Sequence, residues 1–205
     1  ISCDTSLGRD RDYSAFHVIN MYNGQQVAEF YSNRTPINDF AKIIAAEGML
    51  YNVASVICER NTIGNNLIDW LYNIYEYENL WYDDKDEIGF QVTAQNRETI
   101  LADLEEALRT DVIKINSIRT CDELMTFIIA QGGKPKAEKG KHDDLIMSLA
   151  LAIHGYKNLL DTTPIEHVAK IPHKESPPMP SKMTKATLKT AYGGVTKEDL
   201  KWLMK

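Results

Sequence analysis

Hydrophobic residues along the first third of the chain fall in short runs of strand-forming side chains. Residues 13–22 (YSAFHVINMY) and 25–31 (QQVAEFY) are two such runs, with Asn23-Gly24 between them. That pair accepts positive φ and is a strong short-range hairpin signal. Ile1–Asp4 reads as the end of an earlier strand, so the opening predicts a three-stranded antiparallel meander. The period then changes. Thr35-Pro36 opens a helix, Thr as N-cap and Pro at the first helical position, with Phe40, Ile43, Ile44 and Met49 on its inner face. Val53–Cys58 (VASVIC) is a short apolar run and predicts a buried strand. Strand, helix and buried strand form a crossover unit, which places this strand parallel within the same sheet.

Further on, a helix is predicted over 64–77, one or two short strands over 79–92, and an amphipathic helix over 96–109 with Ile100, Leu101, Leu104 and Leu108 on one side. Val112–Ile115 reads as a strand. Residues 120–130 read as a helix with Thr120 as N-cap and Glu123 completing a capping box. Residues 132–140 are a Lys-rich loop, and 143–160 a helix apolar nearly all round, hence buried against the sheet. Five of the seven Pro lie in 164–180, which reads as a linker; Val195–Lys205 reads as a short terminal helix capped by Thr196. The expected organisation is one domain over 1–160 and a Pro/Lys-rich extension over 161–205. No internal repeat is present.

Composition narrows the class. In 205 residues, 43% are hydrophobic and 25% charged, a globular mixture. No apolar run has the ~18–20 residues of a membrane span. The opening lacks an initiator Met and a signal-peptide pattern, and reads as a domain cut from a longer chain. Three Cys are too few and too scattered for a disulfide scaffold or zinc site, so a reducing, intracellular setting is expected. The net charge of -6 is uneven: residues 161–205 hold eight Lys against five acids, leaving 15 basic and 24 acidic residues in 1–160. An acidic body argues against a nucleic-acid coat but suits an enzyme whose acids gather round cations.

The acids that matter sit where elements end. Asp4 closes the first strand, Glu59 closes the crossover strand, and Asp143 and Asp144 open the buried helix. If the crossover strand pairs beside the first, Asp4 and Glu59 stand side by side, and the helix start brings Asp144 to the same edge. Taken singly, an acid at a strand end is a turn residue and an acid at a helix start is a cap. Together they form a three-carboxylate cluster that only cations can neutralise. Hard oxygen ligands suit Mg²⁺ or Mn²⁺, and two such ions ~3.5–4 Å apart clamp both oxygens of a phosphodiester displacement. Cys3 and Cys58 alternate to the opposite face and read as core.

The stretches CDTSLGRDRDYSAFHVI, VICERNTIG and GKHDDLIMSLALAI, in this order, resemble the nuclease domain of the large terminase subunit of tailed phages. The resemblance covers residues 1–160. It implies an α/β fold of the RNase H-like kind, with a mixed five-stranded central sheet flanked by helices. It also implies a metal-dependent endonuclease, with two Mg²⁺ or Mn²⁺ ions, that cuts double-stranded DNA during genome packaging. The family's catalytic triad falls on Asp4, Glu59 and Asp144. Asp143 and Asp12 match neighbouring acidic positions as further metal ligands, and His142 a supporting one. The implied partners are DNA, the portal and the small terminase subunit. An ATPase domain is expected before residue 1, and the cytoplasm of the infected host cell is the expected location. Leu7 stands where some members carry a further acid, and nothing here resembles a Walker motif.

Lys134, Lys136, Lys139 and Lys141 run directly up to His142 and read as a phosphate-contacting arm or a solvated loop. The aromatics from Trp70 to Tyr82 read as packing before base stacking. Two rival functions share these residues: a junction resolvase on the same fold, and a non-catalytic docking module of a packaging motor.

Overall fold

The structure is a computed structural model that describes residues 1–8, 12–130 and 135–162, with side chains as far as Lys157. All its elements lie within one unit, Ile1–Pro164. The proposed linker, the terminal helix, residues 163–205 of the extension and Lys134 lie outside the described residues; the first two residues of the expected extension belong to the last helix.

Strand β1 (Ser2–Asp4) sits inside a four-stranded sheet of order β3-β2-β1-β4. It pairs antiparallel with β2 (Ser14–Ile19), which pairs antiparallel with β3 (Gln26–Ser32). On its other side it pairs parallel with β4 (Ile57–Cys58) through Ser2↔Ile57 and Cys3↔Cys58. The meander and the parallel crossover therefore stand as the sequence predicts. The Asn23-Gly24 turn is wider than a two-residue loop: Asn20 N–H donates to Gln25 O, and Gly24, at φ 68°, backs directly onto the Val112 carbonyl.

The sheet is not five-stranded. The segment expected as a strand over Val112–Ile115 contributes a single bridge, Lys114 to Gln25. Pairing stops there because the next residues turn inward: the Asn116 and Ser117 N–H groups both donate to the Gln26 side-chain carbonyl at 2.8 Å. At the opposite edge Leu80 and Phe90 make lone bridges to Val56 and Glu59. A separate two-stranded hairpin, β5 (Phe127–Ile129) with β6 (Pro135–Ala137), replaces the end of the helix expected over 120–130 and part of the loop expected over 132–140.

Helix α1 (Ile37–Leu50) starts one residue later than a Thr35 cap would set it. Pro36 holds the N-cap position, and the Thr35 hydroxyl donates to Ser32 Oγ instead of capping. Phe40 and Ile44 are buried as expected, but Met49 is exposed; Ala41 and Gly48 complete the inner face. The helix expected over 64–77 is α2 (Thr62–Asp69) followed by a π-helical turn at Trp70–Ile74. Helix α3 (Ala94–Arg109) carries a capping box of Thr93 and Asn96. Helix α4 (Ile118–Met125) is capped by Ser117, not by Thr120, whose own N–H donates to Ser117 Oγ. Helix α5 (Asp144–Thr162) is the buried helix.

Two cores flank the sheet. Cys3, Phe16, Phe30 and Cys58 point to one face and pack with Phe40, Ile44, Leu67 and Leu71 of α1, α2 and the π turn. On the other side α5 packs with α3 through Leu149, Ile153, Ile100 and Leu104. Polar bonds lock α5 to the strands it covers. Ser148 Oγ donates to the Ser2 carbonyl at 2.8 Å. Gln26 Nε2 donates to His17 Nδ1 at 2.8 Å, so the other ring nitrogen carries the proton and donates to Leu145 O at 3.0 Å.

Burial holds the His17 imidazole neutral and lowers its pKa to about 4. The unfolded chain protonates His17 at higher pH than the fold does. Its contribution is therefore full above the unfolded value of 6.5 and is lost as pH falls towards about 4. Urea unfolding between pH 7 and pH 4 is expected to show a shallower loss of stability in His17→Gln than in wild type. The difference should reach the order of 3 kcal/mol over that window. Equal slopes would show that His17 does not couple folding to pH.

Candidate metal and phosphodiester site

The period of two along each strand decides what faces α5. Cys3 points into the α1 core, so its neighbours Ser2 and Asp4 point the other way. Asp4 is opposite Ala15, and Ala15 is opposite Tyr31. On the other flank the Glu59 N–H donates to Cys3 O at 3.0 Å, which sets Glu59 beside Asp4. Tyr31, Ala15, Asp4 and Glu59 thus form one row across four strands. Ala15 is fully buried and small.

Asp4 and Glu59 are in direct side-chain contact. The Asp4 carboxyl is pushed well above the usual carboxylate range, first by burial, then by the charge of Glu59, then by that of Asp144. Among the described residues neither carboxylate has a cationic partner, whereas the cations nearby are engaged elsewhere. Arg60 pairs with Asp83 and Glu87, and Arg97 pairs with Asp143 at 2.6 Å.

Asp144 stands at the first turn of α5, its side chain 15% exposed. Burial, then the charges of Glu123 and Asp143, push its carboxyl up to about 7, against a backbone hydrogen bond from Tyr13. Asp143 is turned away: its carboxylate binds Arg97, which also donates to Pro135 O. Asp12 is exposed and bears on Asp144 only as a minor charge. His142 Nδ1 lies 3.6 Å from Asp144 Oδ2, and its ring meets Tyr13 edge-on at 4.8 Å. Tyr13 in turn stacks flat on Tyr31, 4.0 Å between centroids. Lys136, Lys139 and Lys141 are exposed. Lys141 and His142 line an open groove of about 450 Å³ with Tyr31, Arg119 and Glu123.

Two carboxylates therefore abut, and a third bears on Asp4 through its charge. Among the described residues no three His, Cys, Asp or Glu side chains group closely enough to hold an ion as they stand. The donor chemistry nonetheless fits a hard divalent cation: all three are carboxylates, and burial together with the neighbouring Glu59 charge disfavours the charged form of Asp4.

Sequence reasoning passed over two residues here. Tyr31 was legible from register, since it shares the row of Ala15 and Asp4. Glu123 was not. It fitted the capping pattern with Thr120, but with the cap at Ser117 its carboxylate reaches α5, accepting Leu145 N–H at 3.0 Å and Ile146 N–H at 3.3 Å.

No protein-family model matches the chain. Solved structures do. The large terminase nuclease from thermophilic phage G20c with bound magnesium is 21% identical, covers 75% of this chain and 78% of its own, and superposes at a TM-score of 0.62. The form with bound cobalt gives the same figures. The Thermus phage P74-26 large terminase nuclease domain is 22% identical, over 74% of this chain and 75% of that one, at a TM-score of 0.58. The chain has the large terminase nuclease fold. Within that fold Asp4, Glu59 and Asp144 come from β1, the end of β4 and the start of α5.

The raised Asp144 value has a signed consequence in the absence of metal. The fold binds this proton more tightly than the unfolded chain, so the contribution is full below about 4 and is lost as pH rises towards about 7. In EDTA, wild type is expected to lose stability relative to Asp144→Asn as pH is raised from 4 to 7.5. Melts of both proteins across that range check it; a gap that stays constant would remove Asp144 from the buried acidic set.

Proposed function

We propose that this chain is a divalent-metal-dependent endonuclease that cuts double-stranded DNA during phage genome packaging. The observation that carries this reading is the abutment of Asp4 and Glu59 on one row of a terminase nuclease fold, with the charge of Asp144, from the start of α5, bearing on Asp4. Solved nucleases of this fold carry magnesium, cobalt and zinc, which supports a divalent cation here. Divalent ions, when bound, supply Lewis acidity, lowering the pKa of water and neutralising charge on the phosphate.

The chain's own residues divide the work. Asp4, Glu59 and Asp144 would together hold two Mg²⁺ or Mn²⁺ ions. Metal ligation would require the charged forms of Asp4 and Asp144, which burial disfavours in the absence of a cation. His142, resting on Tyr13, keeps Asp144 from swinging towards the groove. Lys136, Lys139 and Lys141, with Lys134, draw the DNA backbone towards this edge without reading sequence. Asp143 serves Arg97 and the placement of α5, and Asp12 is too exposed to be more than an outer charge. The portal and the small terminase subunit are the partners this role calls for, in the cytoplasm of an infected cell.

Plasmid cleavage with Mg²⁺, Mn²⁺, Ca²⁺ or EDTA tests the reading. Asp4→Asn, Glu59→Gln and Asp144→Asn are each expected to abolish Mn²⁺-dependent cutting in folded protein, and Asp143→Asn to reduce it by less. Cutting that persists in any of the three would take that residue out of the triad. Preference for four-way junctions over linear duplex would move the reading to a resolvase.

Replacing Lys134, Lys136, Lys139 and Lys141 by Ala should weaken duplex binding for every sequence alike and flatten its salt dependence, by about one unit of log–log slope per lost phosphate contact. Fluorescence anisotropy at several salt concentrations measures this. An unchanged slope would show that the arm does not touch the backbone.

A further inference from the structure

Helix α5 begins with two acids, and neither caps it. The first helical bond, Met147 N–H to Asp143 O, makes Asp143 the N-cap residue. An N-cap side chain ordinarily accepts from the second and third amides of its own helix, here Leu145 and Ile146. Asp143 instead gives its carboxylate to Arg97. Asp144, next in line, has its Oδ2 3.6 Å from His142 Nδ1 and takes neither amide. The two amides are taken by Glu123 Oε2, from α4. Glu123 is 9% exposed, and its other oxygen, Oε1, is buried without a hydrogen-bond partner. A cap supplied from another helix, by a carboxylate buried at a cost in desolvation, does something that the local Asp143 cannot do while it also holds Arg97.

We infer that Glu123 is a positioning residue: it caps α5 from α4 and thereby leaves Asp144 free to face Asp4 and Glu59. The inference rests on the reading of Asp144 as a metal-site carboxylate. Without Glu123, the bare amides at the positive end of the helix compete for the nearest acids. Asp143 then leaves Arg97, or Asp144 turns back on its own helix, and the row loses its third member.

The test combines two readouts on Glu123→Ala and Glu123→Gln. Gln keeps an acceptor oxygen for the amides but no charge. In calorimetric titration with Mn²⁺, Glu123→Ala should bind about 10-fold or more weakly, the size seen when supports of metal ligands are removed, and Glu123→Gln should recover most of the loss. The second readout needs no metal. In EDTA, Asp144→Asn should raise the melting temperature when position 123 is Glu, and by less when it is Gln, because Asp144 is then held half-buried among other acids, Glu123 included. The same substitution should give no rise in Glu123→Ala. A protein that melts lower as Glu123→Ala yet binds Mn²⁺ as wild type does, and keeps the Asp144→Asn rise, would overturn the inference. So would a Gln variant as defective as the Ala variant in both readouts, since charge or ligation would then be what matters. If Glu123→Ala does not fold, Glu123→Asp, one methylene too short for the amides, takes its place with the same expectations. If wild type neither binds Mn²⁺ nor cuts DNA, the proposed function fails. The EDTA cycle then still decides whether Glu123 places Asp144.

Discussion

The parallel pairing of β1 with β4 is the contact on which the site depends. It is only two residues long, Ser2↔Ile57 and Cys3↔Cys58, yet it sets which side chains follow it. One residue beyond the pair, Asp4 and Glu59 fall on the same face and touch. A slip of one residue would send one carboxylate into the Phe16–Phe40 core and bring a cysteine to the α5 side. The two cysteines hold that register from behind. They are buried, they match across the pair, and their face is closed by α1 and α2.

Such a pairing brings two acids into contact, and their mutual repulsion favours letting go of β4. The rest of the architecture opposes this. α1 and α2 pack over one face of the strands, and α5 bonds to the other through Ser148, Leu145 and their partners on β1 and β2. The polar bonds are buried and therefore directional: His17 is held neutral, and Gln26 satisfies Asn116 and Ser117 as well as His17. That network also runs into α4, because Ser117 begins it and Thr120 bonds to Glu29. The placement of Glu123 is thus tied to the same strands that carry Asp4. Cation binding would relieve the repulsion the fold tolerates, so stability and function meet at one row of side chains.

Much of this was legible in the sequence, for identifiable reasons. The strand runs, the crossover and the buried α5 are strong periodic signals, and strand alternation already separated Asp4 and Glu59 from Cys3 and Cys58. What failed were boundaries and edges. Thr35 and Thr120 both looked like N-caps, but the Thr35 hydroxyl turns back to Ser32 three residues earlier, and the Thr120 hydroxyl finds a distant partner, Glu29, that sequence spacing does not reveal. The fifth strand failed because the Gln26 side chain captured the backbone that would have extended it. The hairpin of β5 and β6 was hidden by Pro135 and the surrounding Lys and Gly, which read as loop, although Pro is tolerated at the start of an edge strand. The convergence of the three carboxylates on an ion was anticipated from topology; the structure brings two into contact and leaves the third bearing on Asp4 through its charge.

The misreading of α4 shows why a long-range role is hard to see locally. A Ser/Thr followed three residues later by Glu is a sound capping signal, and it occurs at Thr120–Glu123. Moving the true cap to Ser117 frees Glu123 from its own helix by one turn, and only then does its carboxylate have amides to find. Those amides are open because Asp143 is drawn off by Arg97, which lies on α3, more than forty residues away in sequence. Three helices therefore settle the orientation of one carboxylate at the start of α5. The residues that a sequence motif groups as His-Asp-Asp have separate surroundings: His142 leans on Tyr13, Asp143 ties α5 to α3, and Asp144 bears on Asp4 through its charge. Adjacent acids on a helix point about 100° apart, so this division follows from helical geometry once each has a partner on its own side.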